Sequence, residues 1–198
     1  MRTIEEAALE ASSCVRCRLS QGRTQVVYGI GDPNADLMFI GEGPGFHEDK
    51  QGEPFVGPAG QLLNQVLGEI GLQRERVYIN NVVMCRPPGN RDPLPDEIEA
   101  CKPWLDERIE LIDPSVVVTL GNWATRFVLG PLVSISRVRG QRFPWNGRTV
   151  IPTFHPAAIL HGGGLASTQM EALRSDFREI ARALAERPQP VEEQLGLF

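Results

Sequence analysis

Four cysteines, and only four, occur in the chain, as Cys14-Val15-Arg16-Cys17 near the start and as Cys85 and Cys101 far downstream. The two-residue spacing of the first pair lets both thiolates face one metal from a turn, while Cys85 and Cys101 must be brought to it by folding. The set reads as a metal or iron–sulfur site. Two disulfides are the alternative, and free structural thiols a third reading. The stretch Met1-Arg2-Thr3-Ile4-Glu5-Glu6 has no apolar h-region, so an oxidising compartment is not expected. A second set of chemically capable residues lies in short polar or glycine-rich segments. It comprises Glu42 in Gly41-Glu42-Gly43-Pro44-Gly45, Phe55 after Pro54, Asn80-Asn81, and His155 in Phe154-His155-Pro156-Ala157.

These residues must be held by strands and helices, and the pattern of the chain says where. Apolar runs bounded by turn residues alternate with segments of helical period, the signature of a parallel sheet covered by helices. Four strands are expected at residues 37–41, 77–83, 115–121 and 149–154, each short and rich in β-branched or aromatic residues. Leu62, Leu63, Val66, Leu67 and Ile70 share one helical face after Pro58-Ala59-Gly60, and Ile98, Cys101, Leu105, Ile109 and Ile112 share another after Pro95-Asp96. Cys101 therefore sits on an inward stripe. A further helix is expected from about Ser167 to Glu186, closed by Arg187-Pro188-Gln189-Pro190. The expected class is α/β, a three-layer αβα sandwich on a four-stranded parallel sheet. In such sheets ligands bind beyond the carboxyl ends of the strands. That edge is where Glu42, Asn81 and His155 fall, with Phe55 on a following loop. A carboxylate, an amide, a ring and an imidazole would converge there.

At 198 residues one domain is expected, over residues 1–187, followed by a tail at 188–198. No run approaches the ~20 apolar residues that span a bilayer, and a membrane role is not expected. The net charge of −5 argues against an overall basic coat. The charge is unevenly spread, however. From Pro114 to Met170 there is no Asp or Glu, while Arg126, Arg137, Arg139, Arg142, Arg148, His155 and His161 fall in that stretch. It reads either as a solvated basic face or as a surface for phosphates.

Taken together, these segments resemble the uracil-DNA glycosylase superfamily, specifically its iron–sulfur-containing family 4. The resemblance rests on Gly41-Glu42-Gly43-Pro44-Gly45 with Glu48-Asp49, on Pro54-Phe55-Val56-Gly57 with Ala59-Gly60-Gln61-Leu62-Leu63, on Asn81 to Pro88, and on His155-Pro156-Ala157. It spans nearly the whole chain. It implies a [4Fe–4S] cluster on Cys14, Cys17, Cys85 and Cys101, with zinc as the second choice of metal. It also implies cleavage of the bond between uracil and deoxyribose, on a nucleotide flipped out of single- or double-stranded DNA.

In that setting Phe55 would stack on the base, and the Asn81 amide would donate to O4 and accept from N3–H, a pattern cytosine cannot match. His155 would hydrogen-bond O2 as charge develops there, helped by backbone N–H groups near Gly43. Glu42 would position or deprotonate the attacking water. Glu48 is a candidate pocket residue. Phe46, Glu48 and Asp49 lie on the loop that would face the methyl of thymine. Arg86, Arg137 and Arg139 are candidate phosphate contacts, and Ile159 with Leu160 a candidate wedge into the base stack.

The last residues Gln194-Leu195-Gly196-Leu197-Phe198 resemble the short bacterial peptide that binds the sliding clamp, with docking back on the domain as the alternative. A cytoplasmic, nucleoid-associated monomer is expected. Two other functions compete. A relative that traps uracil-DNA covalently would need a histidine near Asn90-Arg91-Asp92-Pro93-Leu94, which holds none. A non-catalytic metal-stabilised nucleic-acid-binding module would not need Glu42, Asn81 and His155 together.

Overall fold

The computed structural model describes residues 2–186, so the clamp-like residues Gln194, Leu195, Leu197 and Phe198 lie outside the described residues. Six strands form one sheet: β1 (Ile30–Gly31), β2 (Leu37–Gly41), β3 (Tyr78–Asn81), β4 (Val116–Leu120), β5 (Phe143–Trp145) and β6 (Arg148–Thr153), in the order β1-β3-β2-β4-β6-β5. The four expected strands, β3, β2, β4 and β6, are its parallel centre. The count of four is corrected by two short antiparallel edges, β1 on β3 and β5 on β6. The second edge has a legible cause: Asn146 and Gly147 both take positive φ (47° and 79°), the two-residue turn whose twist suits a hairpin.

Among the described residues eight α-helices cover the sheet: α1 (Ile4–Ala11), α2 (Phe46–Gln51), α3 (Pro58–Glu69), α4 (Pro95–Ile112), α5 (Gly121–Leu129), α6 (Ile135–Val138), α7 (Pro156–His161) and α8 (Thr168–Ala185). Every residue of β2 and β4 is buried, because their alternate side chains feed two different cores. Met38, Ile40 and Val117 pack with residues of α1, α4 and α5. Leu37, Phe39, Val116 and Val118 pack with α3, α7 and α8, where Phe39 stacks on Phe177 at 5.9 Å. Local signals set the helix starts. Thr3 caps α1 in a reciprocal pair with Glu6, Pro95 opens α4 with the Glu97 carboxylate accepting from Leu94 N (2.8 Å), and Ser167 caps α8.

The chain leaves β2 for β3 on one side and then crosses to β4 on the other, so the order reverses at β2. Such a reversal leaves a crevice at the carboxyl edge of the sheet. Glu42 directly follows β2, Asn81 closes β3, and His155 lies two residues past β6.

Candidate active site

A cleft of about 470 Å³ opens at that edge, lined by Glu42, Gly43, Glu48, Phe55, Asn81 and His155 together with Asn90, Arg91, Ala158 and His161. The volume is that of a small-molecule site. All six residues expected in the catalytic and base-binding set share it.

Asn81 is 2% exposed and its Oδ1 has no hydrogen-bond partner among the described residues. A buried amide oxygen left unpaired costs free energy unless a ligand group completes it. The ring of Phe55 lies beside it: a Cβ on Gly41 would overlap Asn81 Oδ1 and stand 2.8 Å from the Phe55 ring. Glycine at the end of β2 is what lets amide and ring meet over the strand.

Phe55 adopts φ 53°, a left-handed backbone that costs a non-glycine residue about 1–2 kcal/mol. Its neighbours enforce the conformation. Glu48 Oε1 accepts from Val56 N (3.0 Å) and Gly57 N (2.9 Å), and Arg74 donates to Pro54 O. Gly60 in α3 admits the Phe55 carbonyl, which any Cβ there would overlap. Glu48 thus lines the cleft as expected, yet one of its oxygens is occupied in holding the turn that aims Phe55. Arg74 is part of the same support, and nothing in its sequence setting marks it.

The His155 ring stacks on Phe55 with centroids 5.5 Å apart and planes at 29°. Its Nδ1 accepts from Ala157 N (3.1 Å) as the side chain caps α7, which leaves the proton of the neutral ring on Nε2. Desolvation lowers its pKa to about 4, against a smaller opposing pull from Glu48. His155 is therefore a neutral donor at pH 7.

The Glu42 carboxyl is pushed up to about 7, first by burial and then by the charge of Asp92 and a hydrogen bond to its side chain. Asp92 carries no signal of its own in the sequence, because an acidic residue beside arginine in a loop follows no pattern. Only folding sets it against Glu42. Its neighbour Arg91 lines the cleft and forms a bidentate pair with the fully buried Glu97 (2.6 and 2.9 Å).

Of the expected DNA contacts, Arg86 lines a depression of about 300 Å³ with Arg18 and Arg91, which adjoins the cleft through Arg91. Arg137 is exposed but does not line the cleft. Arg139 is corrected: its guanidinium pairs with the buried Asp176 (2.6 and 3.0 Å), donates to Ala172 O and lies over the Phe154 ring, so it is turned inward. Asp176 also accepts from Thr153 (2.6 Å), tying α8 to β6. Ile159 is corrected as well. It sits fully buried in the core, because α7 turns it inward, whereas Leu160 on the next position is 37% exposed and Leu165 is 53% exposed. Phe46 is exposed and Asp49 buried, its carboxylate accepting from Thr24 N (2.8 Å).

The four cysteines are free thiols brought together from the end of α1, the exit of β3 and the inner face of α4. Trp104 Nε1 donates to Cys14 Sγ (3.3 Å) and Arg23 to Cys85 Sγ (3.4 Å). Burial raises the thiols of Cys17, Cys85 (to about 11) and Cys101, and each of these is raised further by the charge of other members of the set. As they stand, no group of three or more His, Cys, Asp or Glu among the described residues is arranged to hold a metal ion.

The sequence profile of the uracil DNA glycosylase superfamily matches residues 28–179. The chain belongs to that superfamily. Within it the chain is 46% identical over 197 residues to a Type-4 uracil-DNA glycosylase of Sulfurisphaera tokodaii, covering 95% of this chain and 87% of that one. A Type-4 uracil-DNA glycosylase of Archaeoglobus fulgidus is 42% identical, with 96% and 97% covered. One of Thermotoga maritima is 49% identical over 159 residues, with 79% and 83% covered. The uracil DNA glycosylase profile covers Glu42, Phe55, Asn81 and His155, and stops short of Cys14 and Cys17.

Proposed function

We infer that this chain is a uracil-DNA glycosylase, which hydrolyses the N-glycosidic bond of uracil in DNA and leaves an abasic site for base excision repair. One observation supports this most directly: the unpaired, buried Asn81 Oδ1 stands beside the Phe55 ring in the cleft that Glu42 and His155 also line.

A flipped uracil entering the cleft supplies N3–H to Asn81 Oδ1 and O4 to its Nδ2. Cytosine presents an unprotonated N3 and an amine there, leaving both amide atoms facing like partners. The Phe55 face offers stacking, which helps offset the unstacking of the flipped nucleotide. As the C1′–N1 bond breaks, its electron pair goes to the base and negative charge grows on O2. The Nε2–H of neutral His155 donates to that oxygen, and a neutral donor avoids surrendering its proton before charge has developed. Glu42, when ionised, takes the proton of the water that adds to C1′ and favours the cationic sugar. The products are the abasic sugar and the uracil anion, which becomes free uracil by taking up a proton from solvent as Glu42 releases the one it took from water. Arg86 is proposed to meet the phosphates beside the flipped nucleotide, and exposed Leu160 to enter the space it vacates.

Cys14, Cys17, Cys85 and Cys101 are proposed to hold a [4Fe–4S] cluster. The donor set supports this: four thiols, two of them receiving N–H···S bonds, at the junction of three separated segments. Such a group would act by tying those segments together, since none of the cysteines lines the cleft. For the tail, a pull-down of sliding clamp with and without residues 194–198 tests the clamp reading. Unchanged capture after deletion would refute it.

The function is tested by incubating the protein with single- and double-stranded oligonucleotides containing one uracil, then cleaving any abasic site with alkali. Strand cleavage at the uracil position is expected. Intact strands in both substrates would overturn the assignment.

A further inference from the structure

Phe46 opens α2 on the rim of the cleft, between Gly45 and Glu48, which both line it. It does not line the cleft itself, and it is 44% exposed. Two cations are set against its ring: Lys50 Nζ stands 4.5 Å and the Arg86 guanidinium 5.1 Å from the centroid. His47 meets the ring edge-on at 5.5 Å and 84°, and lies in turn against Gly57, where an added Cβ would stand 3.3 Å from the imidazole. The exposed ring is thereby tied to the turn that aims Phe55. Arg86 Nε donates to Asn90 Oδ1 (2.7 Å), and Asn90 lines the cleft. Neither Lys50 nor Arg86 joins an ion pair among the described residues. The two acids of α2 are engaged elsewhere, Glu48 Oε1 with Val56 N and Gly57 N, and the buried Asp49 with Thr24 N. An open aromatic ring among uncommitted cations offers an unpaired nucleotide a face for its base and charge for its phosphates.

We propose that Phe46 is a second base-binding subsite beside the cleft: it stacks the base next to the flipped uracil while Lys50 and Arg86 meet the adjoining phosphates, which makes unpaired DNA the favoured substrate. The proposal rests on the glycosylase reading above. A neighbouring base reaches Phe46 only by leaving its own stack. In a single strand that costs little, whereas in a duplex a base pair is broken as well. The position of Phe46 in the sequence suggested a role against the methyl of thymine. Its place outside the cleft gives the ring a different task, sorting substrates by strandedness.

The test compares the wild-type protein with Phe46→Leu, which keeps apolar bulk without a ring, and Phe46→Trp, which keeps a ring. Cleavage of a single-stranded uracil oligonucleotide by wild type comes first, and its absence would sink the glycosylase reading and this subsite with it. Binding is then read by fluorescence anisotropy on strands carrying 2′-fluoro-2′-deoxyuridine, whose fluorine disfavours the cationic sugar and so slows turnover. One strand has ordinary neighbours, one a tetrahydrofuran abasic residue on the 5′ side, and one the same residue on the 3′ side. On the ordinary strand Phe46→Leu is expected to bind about tenfold more weakly, and Phe46→Trp to stay within about threefold of wild type. Removing the neighbouring base on one of the two sides should cost wild type the same factor and cost Phe46→Leu little. In a U·A duplex the Leu variant should lose less than about threefold. Leu binding like wild type, or Leu and Trp weakened alike, would overturn the subsite while leaving the glycosylase in place. A Leu loss that persists undiminished on both gapped strands would overturn it too, and would make the ring a clasp between α2 and Arg86. Equal losses on duplex and single strand would overturn the preference for unpaired DNA.

Discussion

Phe55 and His155 meet face to face across the cleft, with centroids 5.5 Å apart and planes at 29°, although one stands in a loop before α3 and the other after β6. The stack joins the residue that would hold the base to the residue that would receive its charge. Its geometry is fixed from both sides, by Glu48 on the Phe55 turn and by Ala157 N on the imidazole.

Gly41→Ala is expected to damage activity more than the fold. The added Cβ would push against Asn81 Oδ1 and the Phe55 ring at once. Misplacement on the scale of 1 Å costs about 10²-fold, whereas overpacking costs about 1–3 kcal/mol of stability. Single-turnover cleavage of a uracil oligonucleotide alongside thermal melting separates the two. A melting loss with cleavage unchanged would contradict the placement of Asn81 and Phe55.

The rate constant kcat/KM should rise with pH through about 7, as Glu42 ionises. Asp92→Asn removes the like charge, lowers the Glu42 pKa and moves the rise to lower pH. Glu42→Gln is expected to lower the rate about 10²–10⁴-fold and abolish the rise. Because the folded pKa is raised, the Glu42 contribution to stability is complete below its unfolded value of 4.5 and is lost as pH climbs through about 7. Rate profiles of the three proteins, with melting curves, check both signs.

His155 behaves in the opposite sense. Its folded pKa is depressed to about 4, so its contribution to stability is present above the unfolded value of 6.5 and is lost as pH falls toward 4. No imidazole titration should appear in the activity between about pH 6 and 8. His155→Ala is expected to lower turnover about 10²–10³-fold. An NMR titration that finds this ring charged at neutral pH would reverse the proposed role.

Arg139 and Arg86 should part company in experiment. Arg139→Ala leaves Asp176 buried and unpaired, at a cost of about 3–5 kcal/mol in stability, with the salt dependence of DNA binding unchanged. Arg86→Ala should leave stability nearly intact and reduce the slope of log affinity against log salt by about 1. Denaturant melts and binding isotherms at several salt concentrations read both.

The sequence by itself determined the α/β class, the four central strands and the sheet edge at which Glu42, Asn81 and His155 fall. Period and composition are local properties, and strand ends fall at one sheet edge whatever the details of packing. It also brought Cys101 to an inward helix face. The two edge strands were harder: β1 has only two residues, while β5 turns on an Asn-Gly pair whose meaning depends on a partner strand. Only the tertiary structure decided which charges face which. Arg139 and Arg137 are alike as sequence, and it is Asp176, contributed by α8, that draws one of them inward. Ile159 and Leu160 differ in exposure because helix α7 turns one toward the core and the other away. Asp92 acquires its influence on Glu42, and Arg108 its hold on Asn81, only when segments distant in the chain are packed together out of water, where a few ångströms set the strength of an interaction.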